Sequence, residues 1–261
     1  MTGKVVVVTG ASMGIGEAIA KMFADQGASV VLLSRDSSRV EAARARIGNS
    51  ERTIALGCDV RHREEVDRVL GLVLHHFQRV DVWVNNAGVG MRDRLAAMDM
   101  SKSRELFDVN FFSAIHCMQA VIPVMKQAGG GAIINISSVA GHIPVAFMSA
   151  YSGSKFALNA AGKAARLELE ADNIHVLTVC PGYVRTDFGA NMISASAESV
   201  KPKSVRGITA ECVAHAAYEG LRKRKREVIV PWYMHLVVKL YQLFPSVVEW
   251  GMARGIRRAA E

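Results

Sequence analysis

Seven short apolar runs punctuate this chain of 261 residues, at 5–8, 29–33, 53–56, 82–84, 132–136, 175–179 and 228–230, with longer amphipathic segments between them. The runs are mostly continuous and β-branched, the pattern of strands covered on both faces. Between them Ile15, Ile19, Met22 and Phe23 recur on one helical face, as do Val66, Val69, Leu70 and Val73. Strands that alternate with helices over this length fold as a parallel sheet with right-handed crossovers. The expectation is one α/β domain, a doubly wound parallel sheet of about seven strands flanked by helices. Ligands of such sheets bind beyond the carboxyl ends of the strands, where the strand order reverses. The residues just after each run are therefore the ones to read for chemistry.

Half of the residues are apolar, which excludes a disordered chain and allows a sizeable core. Cys58, Cys117, Cys180 and Cys212 are scattered, with no CxxC pair and no histidine at ligand spacing. That reads as a reduced interior with no disulfide framework and no metal site. The first run begins almost at once, leaving no room for a secretory leader ahead of it, so a cytoplasmic protein is expected. The formal net charge is +8, and residues 222–261 hold nine Lys/Arg against three Asp/Glu. This basic tail has no zinc-finger or helix-turn-helix spacing, and its aromatics sit among aliphatics. It suits an anionic membrane surface better than nucleic acid.

After the first run comes Thr9-Gly10-Ala11-Ser12-Met13-Gly14-Ile15-Gly16, opening a helix. Glycines there let the backbone turn sharply and approach a pyrophosphate on the free N–H groups of the helix. A tight turn without a ligand is the alternative, because the spacing is not GxGxxG. Tyr151 and Lys155, four apart, share one helical face. A phenol has a pKa of about 10 and is a poor base. A neighbouring ammonium lowers that pKa, and the tyrosine can then give a proton to a carbonyl oxygen or take one from an alcohol.

Together these segments resemble the short-chain dehydrogenase/reductase family, from the glycine turn through Thr186, about seven-tenths of the chain. The resemblance implies a Rossmann-like domain that binds NAD(P) along Gly10, Ser12, Met13, Gly14, Ile15 and Gly16. Asn85-Asn86-Ala87-Gly88 is similar to the family segment that supports the sheet and borders the cofactor. Asp59-Val60 is similar to the pair that contacts adenine. The family serine lies thirteen positions before its tyrosine, which selects Ser138 over Ser137 as the oxyanion-type donor. Asn110 matches an asparagine that kinks its helix and holds a water against the lysine. In Pro181-Gly182-Tyr183-Val184-Arg185-Thr186, Pro181 and Gly182 would wall the nicotinamide while Val184 and Thr186 hold its carboxamide. The implied catalytic set is Asn110, Ser138, Tyr151 and Lys155, with Tyr151 and Lys155 also touching the cofactor.

An NAD enzyme of this kind needs a carboxylate after the second run. The aligned residue is Ser34, followed by Arg35, whose guanidinium can fork onto a 2′-phosphate. Pairing of Arg35 with Asp36 is the alternative. NADP(H) is the expected cofactor.

The resemblance fades at the C-terminus. Carrier-protein reductases of the family end in a TGxxxxVDGG-like strand that builds a tetramer, and this chain has none. Between Trp232 and Phe244 only His235, Lys239 and Gln242 are polar, on one stripe. The segment is shorter than the roughly 20 residues a bilayer requires. With Arg222-Lys223-Arg224-Lys225-Arg226 before it and Arg254, Arg257 and Arg258 after it, the segment reads as an interfacial anchor. It is similar to the tails of membrane-associated members; a cover over the cleft or a dimer contact is the alternative. Residues 187–209 correspond to the family's lid, and Phe147, Met148, Phe188 and Met192 favour a hydrophobic substrate.

The expectation is thus a Rossmann-fold catalytic domain over 1–230 and a C-terminal helical extension over 231–261. It would act as an NADP-dependent oxidoreductase on a small hydrophobic carbonyl or secondary alcohol. A homo-oligomer is expected, cytoplasmic, with peripheral membrane contact through 222–258 and no nucleic-acid partner. The alternative is an NADP(H)-binding regulatory or membrane-surface protein on the same fold without turnover.

Overall fold

Each of the seven runs becomes a strand. The computed structural model describes residues 1–48, 51–193 and 207–260. In it β1 (Val5–Thr9), β2 (Ser29–Ser34), β3 (Thr53–Gly57), β4 (Val82–Asn85), β5 (Gly131–Ile136), β6 (Ile174–Pro181) and β7 (Glu227–Val230) form one sheet. The order is β3-β2-β1-β4-β5-β6-β7, and every pairing is parallel. The chain winds outward from β1 to β3 and then returns to start again at β4, so the order reverses between β1 and β4.

Side chains alternate between two buried layers, which is why the runs read as continuous rather than striped. Val6, Val8, Val30, Leu32, Val84 and Ile134 meet α1 (Gly14–Asp25), α2 (Ser37–Ile47) and α7 (Ala210–Arg222). Val5, Val7, Val31, Leu33, Trp83 and Ile133 meet α3 (Arg63–Phe77) and α5 (Ser113–Gln127). Each fully buried aliphatic of this kind contributes about 1.5–3 kcal/mol. α4 (Met100–Phe107) runs through a widened π turn at Asp108–Phe112 into α5. The joined helix is apolar and long enough to cross a bilayer, yet its Cys117, Met118, Val121 and Met125 lie in the core against the sheet. α6 (Ser149–Glu168) completes that layer.

The C-terminal extension is helical. It forms two helices, α8 (Trp232–Leu243) and α9 (Pro245–Ala260). Pro245 takes the first position of α9, where its missing N–H is harmless, and so ends α8 at Phe244. The inner face of α8, with Met234, Val237, Val238 and Tyr241, packs on Val139 and Ile143. Of the expected lid, Asp187–Gly189 forms a short turn, Ile193 bridges to Met91 and Ile208 bridges to Val184. Residues 194–206 lie outside the described residues.

Two glycines separate packing from propensity. A Cβ on Gly16 would stand 2.3 Å from the Gly10 carbonyl oxygen and 2.4 Å from Asn86 Nδ2, whereas one on Gly71, on the exposed face of α3, meets nothing within 4 Å. We expect Gly16→Ala to lose about 1–3 kcal/mol and Gly71→Ala to gain up to about 1 kcal/mol. Urea unfolding midpoints at constant slope read both, and an unchanged midpoint for Gly16→Ala would contradict the close approach.

Candidate active site

The site is assembled where β1 and β4 part. The Thr9 hydroxyl donates to the Val84 carbonyl at 3.1 Å and accepts from the Asn86 and Ala87 amides at 2.9 and 3.0 Å. Asn86 Nδ2 returns bonds to the carbonyls of Thr9 and Gly10 at 2.9 and 3.1 Å. Gly10 sits at φ 63°, and a Cβ there would stand 2.8 Å from Ala87 Cα, so only glycine fits. Deeper in, Asn85 donates to Asn135 at 2.8 Å and accepts from the Trp83 indole at 2.9 Å, bridging β4 to β5. Met13 precedes α1 in extended backbone and gives no side-chain cap, leaving the first-turn amides of α1 for an anion. Ile15 packs beside the α1 core layer. Thr186 faces this turn, its Cγ2 3.4 Å from where a Gly14 Cβ would be.

The four expected catalytic residues converge on α6 and the end of β5. Asn110 lies in the π turn. It is buried, accepts from the Val89 amide at 2.8 Å, and donates to the Val89 carbonyl and Ser154 Oγ, each at 3.0 Å. The Lys155 amine is buried and donates to the Ile136 carbonyl at 3.1 Å; a Cβ on Gly88 would lie 3.5 Å from it. Lys155 Nζ stands 5.9 Å from the centre of the Tyr151 ring. Ser138 Oγ accepts from the Ala140 amide at 3.0 Å and reaches the Pro181 carbonyl at 3.4 Å. Ser137 instead turns its hydroxyl to the Lys155 carbonyl inside the core at 3.4 Å.

Burial dominates the electrostatics. It pushes the Tyr151 hydroxyl up to about 12, with a hydrogen bond from Ser138 pulling the other way. It brings the Lys155 ammonium down to about 8. In the protein without cofactor, burial thus works against the lowering expected for the tyrosine.

Tyr151 sits in an apolar cluster with Met91, Leu106 and Met148, against which Val145, Phe188 and Met192 pack. The Phe188 ring meets the Tyr151 ring edge-on at 6.0 Å. Gly90 permits this approach, since a Cβ there would be 2.9 Å from both Phe188 and Met192.

At the end of β2 the two readings of Arg35 separate. Asp36 caps α2: its carboxylate accepts from the Arg39 amide at 3.0 Å and the Ser38 hydroxyl at 2.7 Å, and these bonds hold its pKa below the usual range. Asp36 is thereby engaged elsewhere, and among the described residues Arg35 is exposed with no ion pair. Ser34 Oγ meets Ser12 Oγ at 3.3 Å, and the Arg39 guanidinium lies 3.2 Å from Met13 Sδ. Arg39 is a second cation beside Arg35 that the sequence reading missed. The capping segment Asp36-Ser37-Ser38 was the signal that would have placed it on the first turn of α2. Further along the edge, Val60 is buried and the Asp59 carboxylate is gripped by Arg61 at 2.6 Å. Beyond β6, Gly182 donates to the Val230 carbonyl at 2.7 Å, and Val184 pairs with Ile208. The uncapped helix, the tight glycines and the buried amine suit a nicotinamide dinucleotide.

Comparison with known proteins agrees with this geometry. The family model described as short chain dehydrogenase matches residues 4–197. The mouse protein dehydrogenase/reductase SDR family member 7B is 30% identical over 263 aligned positions, spanning 97% of this chain and 81% of its own. A short-chain dehydrogenase from Streptomyces avermitilis superposes with a TM-score of 0.81 at 27% identity over 99% of both chains. A metagenomic short-chain oxidoreductase, solved in complex with NADP, has a TM-score of 0.73 at 34% identity over 88% of this chain and 97% of its own.

Proposed function

The chain belongs to the short-chain dehydrogenase family of oxidoreductases, which act between CH–OH and C=O with a nicotinamide cofactor, and from that premise we propose an NADP(H)-dependent enzyme for a hydrophobic carbonyl or secondary alcohol. The observation that carries the reading is the buried Tyr151–Lys155 pair beside Ser138, at the carboxyl end of β5, one strand from where the order reverses. NADPH supplies a hydride when bound. Ser138 and Tyr151 hold the substrate oxygen. A phenol with its pKa near 12 keeps its proton until that oxygen takes up negative charge, so Tyr151 acts as the acid in carbonyl reduction. Lys155 in its ammonium form orients the ribose and steadies the charge left on Tyr151, while Asn110 fixes the Val89 backbone and keeps a relay water in place. Met91, Met148, Phe188 and Met192 favour an apolar substrate body. Arg35 and Arg39 support NADP(H) over NAD(H), because Asp36 is spent on the α2 cap.

Arg35→Ala is expected to weaken NADPH binding about 10–100-fold, the loss of one charge-assisted contact of about 1.5–3 kcal/mol, and to leave NADH binding nearly unchanged. Tyr151→Phe is expected to bind NADPH normally but to lose turnover on ketones and aldehydes. Equal losses for both nucleotides would refute the role given to Arg35, and a fully active Tyr151→Phe would refute the tyrosine mechanism.

The lysine also sets a pH dependence. Its pKa is depressed, so the ammonium is present below about pH 8 and lost as pH rises through that value. Reduction kcat/KM is expected to fall above about pH 8 while Tyr151 remains protonated; a flat profile to pH 10 would count against it.

A second reading concerns the extension. Trp232, Leu236, Leu240 and Leu243 stand on the outer face of α8, with Val247 and Trp250 continuing on α9; Trp232 is 75% and Leu243 70% exposed. The exposed cations 222–226 precede β7 and α8 in the chain. Apolar side chains flanked by cations suit an anionic lipid surface. The protein is expected to sediment with phosphatidylserine vesicles and not with neutral ones, less so at high salt, and a Trp232→Glu/Leu236→Glu/Leu243→Glu variant should stay in solution. A variant that still sediments but turns from dimer to monomer would assign the ridge to self-association instead.

A further inference from the structure

Behind the candidate active site three side chains from distant segments converge. His142 follows the turn Val139–Gly141, Cys180 lies in β6 next to Pro181, and Glu227 opens β7. Cys180 Sγ is 3.5 Å from His142 Nε2, and Glu227 Oε2 is 3.2 Å from that same nitrogen. One ligand-type atom from each lies within 4.8 Å of the others. Cys180 is fully buried and the His142 side chain is 7% exposed. Glu227 Oε2 is itself buried and has no hydrogen-bond partner among the described residues.

Hydrogen bonding and charge already link these groups in part: Cys180 Sγ also reaches Asn159 Oδ1 at 3.9 Å, and the His142 ring holds the Glu227 carboxyl below its usual range. One ring nitrogen holds either a proton or a lone pair, so Nε2 cannot donate to the carboxylate while accepting from the thiol. The His142–Glu227 contact stands at 3.2 Å, the long end of the N–H···O range, and leaves the buried Oε2 of Glu227 loosely held. Ligands that share a tetrahedral zinc at about 2.0–2.3 Å stand roughly 3.3–3.6 Å from one another, close to the two contacts of His142, while the third pair lies within 4.8 Å.

We propose that His142, Cys180 and Glu227 form a zinc-binding site. The set is mixed sulfur, nitrogen and oxygen, which zinc accepts and calcium or magnesium does not. Lys155, Lys163 and Arg166 stand close enough to act on these groups. They add positive charge, so an ion bound only by weak oxygen contacts would be repelled; the thiolate and carboxylate together cancel the charge of a dication. On binding, the Cys180 S–H bond breaks, an S–Zn bond forms and the proton leaves to solvent. His142 also lines a cavity of about 460 Å³ with Phe156, Asn159, Lys163, Tyr241 and Gln242, which offers a route in and a water as fourth ligand. The ion would tie β6 to β7 and to the turn after Ser138, immediately behind the Pro181–Gly182 wall. The chain itself gave no sign of this site, because His142 and Cys180 are 38 residues apart.

The test is a titration of the full-length, tag-free protein with Co²⁺, followed by Zn²⁺. One Co²⁺ per chain is expected, with an intense near-ultraviolet thiolate-to-cobalt band that Zn²⁺ abolishes. Cys180→Ser should lose the band, and His142→Gln should weaken binding about tenfold or more. Cys212→Ser, which removes the exposed thiol, should change neither. Absence of stoichiometric binding by the unmodified protein, which needs no variant to fold, would overturn the proposal. So would a band that survives Cys180→Ser or disappears in Cys212→Ser.

Discussion

The structure depends on how the sheet closes its hydrogen bonds at the crevice between β1 and β4. Helices cover both faces of a parallel sheet, but the carboxyl ends of its central strands project past them, where backbone groups lose their ladder partners. Thr9 and Asn86 supply those partners, and Asn85 bridges to Asn135 one strand further on. A polar network of this kind holds only when every member is satisfied. Here it binds the glycine turn to the end of β4 closely enough that Gly10 and Gly16 cannot carry a side chain. The crevice is thereby fixed before any ligand enters it, and the first turn of α1, the end of β5 and the start of α6 take their positions from it.

That rigidity also sets the acid–base properties. Tyr151 and Lys155 are one helical turn apart, yet burial moves them in opposite directions, the phenol up and the ammonium down. Both shifts favour neutral forms. A site tuned in this way holds a proton firmly on the tyrosine and releases it only to an oxygen that is gaining negative charge. The surrounding Met91, Leu106 and Met148 keep the dielectric low, so the same residues that favour an apolar substrate also produce the shifts.

Much of this was legible in the sequence, and physical reasons explain what was not. Continuous β-branched runs marked all seven strands because both faces of each are buried, and the ends differed by only a residue or two where pairing continues past the last apolar side chain. Tyr151 and Lys155 were visible through their spacing. Ser138 and Asn110 were visible only through the family resemblance, since a serine after a strand or an asparagine in a helix has no local signature. The role of Asp36 was open because a carboxylate beside an arginine reads as an ion pair until the helix cap is seen. Arg39 escaped for the same reason. The break at Pro245 and the convergence of His142, Cys180 and Glu227 depend on how the extension and β7 pack, which no short window of sequence contains.

The extension shows how one helix can be bound to two constraints at once. An ordinary surface helix turns one apolar stripe inward and a polar face outward. α8 is apolar on both, with Met234, Val237, Val238 and Tyr241 against Val139 and Ile143, and Trp232, Leu236, Leu240 and Leu243 on the opposite side. The inner contact fixes the helix to the segment that follows Ser138, so its outer face cannot rotate inward without giving up that packing. Exposed apolar surface of this extent is costly unless something covers it. Because the inner contact touches the turn that carries Ser138 and the cavity beside His142, whatever covers the outer face bears on the wall of the candidate active site through a single rigid helix.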